Sequence, residues 1–234
     1  MKAAREAYVS AFEAERVREY PIVDDFERDA GFALDRGRLE DAARVLACPV
    51  KKNPPCWQHG RILYAQARRY LAGTEDYYMT FLDIGTAKGF SALCMAWALA
   101  DAGHAGMVVS IDVIDPYAMV DRNSILDPMT VPELVDPWWP MSVDREFHGM
   151  PGADWLALLP RDERVHFAFV DGKHDFNAVS AEGRMLAEHQ EPGDVAIFDD
   201  VHVPGVNRAV SNLPYAGQRI KVLTNRAYLL GERQ

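Results

Sequence analysis

No run of uninterrupted apolar residues in this chain reaches the roughly 18 to 20 that a membrane span needs. Cysteine is scarce. Its odd set of three (Cys48, Cys56 and Cys94) fits a reducing cytoplasm better than a disulfide framework. Cys48, Cys56 and His59 match no zinc spacing and lack a fourth ligand. Positive charge is in short supply as well: 25 Lys and Arg face 35 Asp and Glu, a formal net charge of −10. That balance argues against a nucleic-acid backbone as the main partner, and the pairs Lys51-Lys52 and Arg68-Arg69 read as solvated surface. Met1 to Arg18 lacks the apolar core of a secretory signal and reads as an amphipathic helix. Internal repeats are absent. The expectation is a cytoplasmic protein with a small-molecule partner, no nucleic-acid or membrane partner, and homo-oligomerisation left open.

What is present is a globular composition: 234 residues, 49% hydrophobic and 26% charged, enough for one full core with an appendage. From Glu6 to about Leu71 apolar residues recur at helical spacing, with breaks at Pro21, Gly31, Gly37 and the Pro49 to Pro55 loop. This predicts three or so helices, and residues 1–75 are assigned as a helical N-terminal cover. Residues 76–234 form the expected binding domain, where strand patterns alternate with helices. Strands are expected at Tyr78–Ile84, Met107–Asp112, Val165–Val170 and Val195–Phe198, with an edge hairpin around Arg219–Leu223 and Ala227–Leu230. Helices are expected at Ser91–Ala102, Ala153–Leu159 and Asn177–Glu188. Such alternation implies an α/β fold, a doubly wound, mostly parallel sheet of about seven strands. The Pro- and Trp-rich stretch 114–146 reads either as a lid or as a packed surface insertion.

The segment Phe81-Leu-Asp-Ile-Gly-Thr-Ala-Lys-Gly-Phe-Ser91 carries the most information. A strand meets a glycine turn, and a helix pattern begins at Phe90. Glycines let the backbone approach a ligand, and a helix start offers free N–H groups. The spacing is D-x-G-x-x-x-G rather than the G-x-G-x-x-G that cradles a pyrophosphate. It suits a cofactor with an amino-acid carboxylate and no phosphates, S-adenosylmethionine.

An acid stands at the C-terminal end of each expected strand of the parallel set: Asp83, Asp112, Asp171, and the pair Asp199-Asp200. Ligands of open α/β sheets bind beyond these ends. Strand-end aspartates also serve as caps and turn formers, but four on one rim outweigh that reading. Asp112, 23 residues beyond Gly89, stands where an acid accepts bonds from ribose hydroxyls. Asp171, Asp199 and Asp200 end neighbouring strands, about 4.8 Å apart, so their carboxylates can converge. Clustered anions demand a raised pKa or a cation, with Mg²⁺ as the best match and Mn²⁺ or Ca²⁺ as alternatives. Successive strand residues point to opposite faces, so Asp199 and Asp200 can act together only if the chain leaves extended geometry there. His174 and His202 follow these acids closely, either as idle loop residues, as bases, or as part of a zinc site.

Together these residues resemble a class I S-adenosylmethionine-dependent methyltransferase, most of all the metal-dependent small-molecule O-methyltransferases of the catechol and sugar-tailoring types. Besides the first motif, Phe169-Val-Asp-Gly-Lys-His174, the segment Glu191 to His202 and Pro204-Gly-Val206 carry the likeness, which covers about residues 78 to 234. It implies a Rossmann-like fold and an enzyme that methylates a hydroxyl of a sugar, phenol or natural product. Asp83, Gly85, Thr86 and Gly89 would hold the methionine part, with Ser91 near its carboxylate. Asp112 would bind the ribose, and Asp171 would serve both cofactor and metal, alongside Asp199 and Asp200. His174 would be the general base, where the catechol type has lysine. Lys173 is its rival and His202 the second. The adenine contacts are left open, since Phe147 to Asp154 aligns only loosely. A nucleotide-dependent oxidoreductase and a non-methylating relative that keeps the cradle are the alternatives.

Overall fold

The computed structural model describes residues 2–47, 55–119 and 128–234. Four helices come first: α1 (Lys2–Arg16), α2 (Pro21–Ala30), α3 (Arg36–Leu46) and α4 (Gln58–Leu71). Pro21 opens α2, where its missing N–H is no loss, and the Asp35 side chain caps α3 by accepting from the Arg38 amide. Arg61 of α4 is 1% exposed and pairs with Glu27 of α2 and with Asp24, so a buried ion network locks these two helices together.

Strands and helices then alternate. They are β1 (Tyr78–Ile84), α5 (Phe90–Ala102), β2 (Ala105–Asp112), α6 (Val131–Val135), β3 (Val143–Gly149), α7 (Gly152–Leu158) and β4 (Phe167–Val170), followed by α8 (Phe176–Glu188), β5 (Val195–Phe198), α9 (Pro204–Val210), β6 (Tyr215–Leu223) and β7 (Arg226–Arg233). The seven strands form one sheet in the order β3-β2-β1-β4-β5-β7-β6, with β7 antiparallel to both β5 and β6. This is the expected doubly wound sheet with its edge hairpin.

Period-two alternation divides the strands between two cores. Met79, Phe81, Val108, Phe167, Phe169 and Ile197 pack with the N-terminal helices and α5. Leu82, Ile84, Val109, Ile111, Val170 and Phe198 pack with α7, α8 and α9 on the other face. Phe90 through Leu99 of α5 are all buried, because α5 is covered by α4 on its outer side. That explains why this helix is apolar all round rather than striped.

Three elements differ from the sequence expectation, the first being α6, a capped helix inside the stretch read as irregular. β3 falls partly inside the stretch read as irregular: it is a polar edge strand in which only Val143 and Phe147 are buried, so its hydrophobic alternation is weak. α9 is a seven-residue helix begun by Pro204, too short to show periodicity. Within 114–146, residues 120–127 lie outside the described set. The described part packs closely. Val131, Leu134 and Val135 join the core, and the Trp97 indole donates to the Trp138 carbonyl at 2.9 Å. Among the described residues no helix is long and apolar enough to cross a membrane. Cys56 and Cys94 are buried free thiols, while Cys48 lies outside the described residues.

Candidate active site

The strand register brings the four ends level. Ile84 pairs with Ile111 on one side and Val170 on the other, and Val170 pairs with Phe198. Gly85, Asp112, Asp171 and Asp199 therefore emerge along one rim, at the point where the strand order reverses on either side of β1. Backbone bonds fasten the rim: Gly85 donates to Ile111 at 2.8 Å, Asp171 to Ile84 at 2.8 Å and Asp199 to Val170 at 3.1 Å. Above it lies a cavity of about 910 Å³. Its walls include Gly85, Thr86, Ser91, Asp112, Asp171, Lys173, His174, Asp199, Asp200 and His202. Asp83 and Gly89 are not among the residues that line it.

The turn after β1 is shaped by close packing. Gly85 has φ +99, and a Cβ there would lie 2.2 Å from the Asp171 carbonyl oxygen, so glycine alone lets β1 and β4 stay adjacent beneath the cavity. Gly89 precedes α5, with Val135 packed against its Cα side. No side chain caps α5, which leaves its first N–H groups available to an anion such as a carboxylate. Asp112 accepts from the Ala87 amide at 2.9 Å and from the Ile114 amide at 3.0 Å, holding the turn while its oxygens retain lone pairs facing the cavity. Asp83 shares the face of Met79 and Phe81 and is fully buried, and neither carboxyl oxygen has a hydrogen-bond partner among the described residues. Burial, opposed by Ser91 and reinforced by the charges of Asp171 and Asp112, pushes it up to about 7. Thr86 is also buried with its hydroxyl unpartnered. Orphaned polar groups beneath a bare glycine turn, beside an uncapped helix start, fit the amino-acid end of S-adenosylmethionine.

The carboxylates beyond β4 and β5 do converge. Asp200 has φ +52, so the chain leaves extended geometry there, as the adjacent pair requires. Asp199 is 5% exposed; burial, then the charges of Asp171 and Asp200, hold its carboxyl well above the usual range. His174 spans the cluster. Its Nε2 is 2.9 Å from Asp171 and its Nδ1 2.9 Å from Asp200. These two bonds push the imidazole up to about 10, so it is charged at neutral pH. Burial would raise Asp200, but His174, His202 and Arg226 together hold it below the ordinary value. Three hard oxygen donors suit a divalent cation chemically. The arrangement is nonetheless that of an ion-paired cluster, and among the described residues no group of three or more His, Cys, Asp or Glu is placed to hold a metal ion. Lys173 is 80% exposed and paired with Asp175 at 2.7 Å.

Several cavity residues carried no sequence signal for a cofactor site. Cys56 and His59, weighed above only as zinc ligands, come from the N-terminal segment, Asn225 from the turn before β7 and Arg226 from its start. The His59 ring stacks on Phe169 at 6.0 Å. Glu182 of α8 looked like an ordinary helix charge, yet it is buried at the cavity wall. Only the tertiary packing of α8 against the Gly152 and Gly172 backbones reveals it.

The described methyltransferase domain matches residues 82–201, just over half of the chain, from β1 through the carboxylate cluster. No curated protein matches the chain. Among solved structures, an O-methyltransferase from Bacillus cereus in complex with S-adenosylhomocysteine is 14% identical with a TM-score of 0.54, covering 93% of this chain and 93% of its own. The O-methyltransferase TomG from Streptomyces achromogenes, in complex with S-adenosylmethionine, is 18% identical with a TM-score of 0.56, covering 86% of this chain and 92% of its own. The apo structure of CalS11, a TDP-rhamnose 3'-O-methyltransferase, is 14% identical with a TM-score of 0.50, covering 72% and 77% respectively. At such identities the structural likeness speaks for the fold, and the domain match supplies the family. The chain belongs to the methyltransferase-domain family, on a fold it shares with these O-methyltransferase structures.

Proposed function

We propose that this enzyme transfers the methyl group of S-adenosylmethionine to a hydroxyl oxygen of a small molecule, such as a sugar, a phenol or a natural product. The observation that carries the reading is the convergence of Asp171, Asp199, Asp200 and His174 on the same cavity as the glycine turn. The methyl donor and an acid-and-imidazole cluster then face one another across one space, which suits alignment of oxygen, carbon and sulfur for in-line displacement. The net charge of −10 supports a small acceptor over a nucleic acid.

Asp83, Gly85, Thr86, Gly89 and Ser91 hold the methionine end in this reading, Asp112 the ribose, and Asp171 borders both cofactor and acceptor. Asp171, Asp199 and Asp200 are the residues that would hold a divalent cation, Mg²⁺ by their chemistry. Such a cation, when bound, lowers the pKa of an acceptor hydroxyl and neutralises the oxygen's developing charge. His174 takes the acceptor's proton as general base. Its charge between two carboxylates means that it does so only when those carboxylates have another cationic partner. Residues 1–75 act as the cover that shapes the acceptor side through Cys56 and His59.

Labelled S-adenosylmethionine and the purified enzyme, offered a panel of sugars, phenols and alcohols, test this directly. Ether products are expected, lost after chelation and dialysis and restored by Mg²⁺ or Mn²⁺. His174→Ala should lower turnover by about 10²- to 10⁴-fold with cofactor affinity little changed. Transfer to nitrogen or carbon acceptors alone would overturn the acceptor class. Undiminished transfer in excess chelator would return the aspartates to structural duty, and near-normal turnover of the His174 variant would move the base to Lys173.

A further inference from the structure

On the α7 and α8 side of the rim the cavity is walled by Met150, Pro151, Gly152, Ala153, Gly172 and one buried charged side chain, Glu182. Glu182 is 6% exposed, and its Oε2 has no hydrogen-bond partner among the described residues. Two glycines stand against it. A Cβ on Gly152 would lie 3.1 Å from Oε1, and one on Gly172 would lie 3.4 Å from Oε1 and 3.6 Å from Oε2. Side chains at those positions would crowd or cover the carboxyl, so glycine at both keeps it open to the cavity. A buried acid with an oxygen left unpartnered among the described residues is destabilising, and this one lines the cavity.

The rim orders the cofactor. Its amino-acid end belongs with the uncapped start of α5, its ribose with Asp112 at the end of β2, and its purine therefore reaches the wall beside Gly152 and Gly172. A purine edge there presents an exocyclic amine, which can only usefully donate. A carboxyl oxygen is the complementary acceptor, and the Pro151 backbone in the same wall offers no N–H to compete for that edge.

We propose that Glu182 reads the adenine of the cofactor by accepting a hydrogen bond from its 6-amino group, which makes it a specificity-determining residue of the cofactor site. Burial, with the charge of Asp175 adding to it and His174 opposing, pushes Glu182 up to about 7. Protonated or ionised, the group keeps an oxygen able to accept. The inference rests on dependence on S-adenosylmethionine and is independent of the acceptor and the metal.

Calorimetry with S-adenosylhomocysteine and its analogue carrying hydrogen in place of the 6-amino group tests it on the wild type, Glu182→Gln and Glu182→Leu, each confirmed folded by a cooperative thermal melt. The wild type should prefer the amino form by about 10-fold, the worth of one well-placed hydrogen bond. Glu182→Gln should keep that preference, because an amide oxygen accepts from adenine's amine in the same way. Glu182→Leu should lose it. A folded Glu182→Leu protein that still prefers the amino form, or a wild type that binds both analogues equally, overturns the assignment. Failure of the wild type to bind either one would instead overturn the cofactor site as a whole.

Discussion

Gly85→Ala is the sharpest test of how the cradle is built. The new Cβ would stand 2.2 Å from the Asp171 carbonyl oxygen and 2.5 Å from its carbon, both backbone atoms that no rotamer change can move. Alanine at φ +99 adds strain of about 1–3 kcal/mol. Forcing β1 from β4 adds overpacking of about 1–3 kcal/mol. The bond from the Asp171 amide to Ile84 at 2.8 Å lies directly beside the clash, and its loss contributes about 1 kcal/mol. The total, about 3–7 kcal/mol, corresponds to a fall in melting temperature of about 6–28 °C for a chain of this size. Gly103→Ala supplies the control. That glycine also has positive φ, +75, but nothing lies within 4 Å of its Cβ direction, so only the backbone strain remains. Thermal melts should therefore place Gly85→Ala well below Gly103→Ala, and calorimetry should show S-adenosylhomocysteine binding lost in the first and kept in the second. Equal melting temperatures for the two variants would refute the claim that close approach, rather than φ alone, dictates glycine at the turn.

Two further outcomes follow from the same rim. Asp112→Ala should weaken S-adenosylhomocysteine binding by about 10- to 100-fold through lost charge-assisted bonds to the ribose, and lower the melting temperature by about 4–8 °C through the two lost amide bonds; unchanged affinity by calorimetry would leave Asp112 as a mere fastening for the Ala87 and Ile114 amides. Asp83 is raised by burial from 3.8 to about 7, so the folded chain keeps a proton that the unfolded chain releases. Its contribution to stability is full below its ordinary value and is lost as pH rises through about 7. The cofactor-free melting temperature should accordingly fall between about pH 4 and pH 7, and Asp83→Asn should flatten that slope. A variant whose melting curve runs parallel to the wild type across this window would remove Asp83 from the account.

How much of this was legible beforehand depends on whether the signal is local. β1, β2, β4 and β5 are buried on both faces, so continuous apolar runs ending in aspartate marked them and their rim together. β3 escaped because an edge strand with residues such as Asp144, Arg145 and Glu146 buries too little to alternate cleanly. Asp199 and Asp200 could be paired on steric grounds, and the positive φ of Asp200 supplies the departure from extended geometry that the pairing needed. The protonation of His174 could not be read, because it arises from two carboxylates on different loops, one of them 26 residues further along the chain. Glu182 was hidden for the same reason: a helix charge becomes a buried one only when glycines on two other segments pack against it.

The placement of the buried acids has one further consequence for the reaction. Asp83 lies beneath the glycine turn, where burial and the charges of Asp171 and Asp112 push its carboxyl up to about 7. A cofactor that brings a positive charge to that turn favours the ionised carboxylate, so its binding and the ionisation of Asp83 support each other. S-adenosylmethionine carries two positive groups, its ammonium and its sulfonium, whereas the thioether product keeps only the ammonium. Methyl transfer thus removes part of the charge that Asp83, Asp112 and Asp171 jointly attract, in a site where partial burial limits screening by salt. In the proposed cofactor site, the acid set that draws the cofactor in would hold the product less strongly, so one arrangement of strand-end carboxylates would serve both capture of the substrate form and release of the spent one.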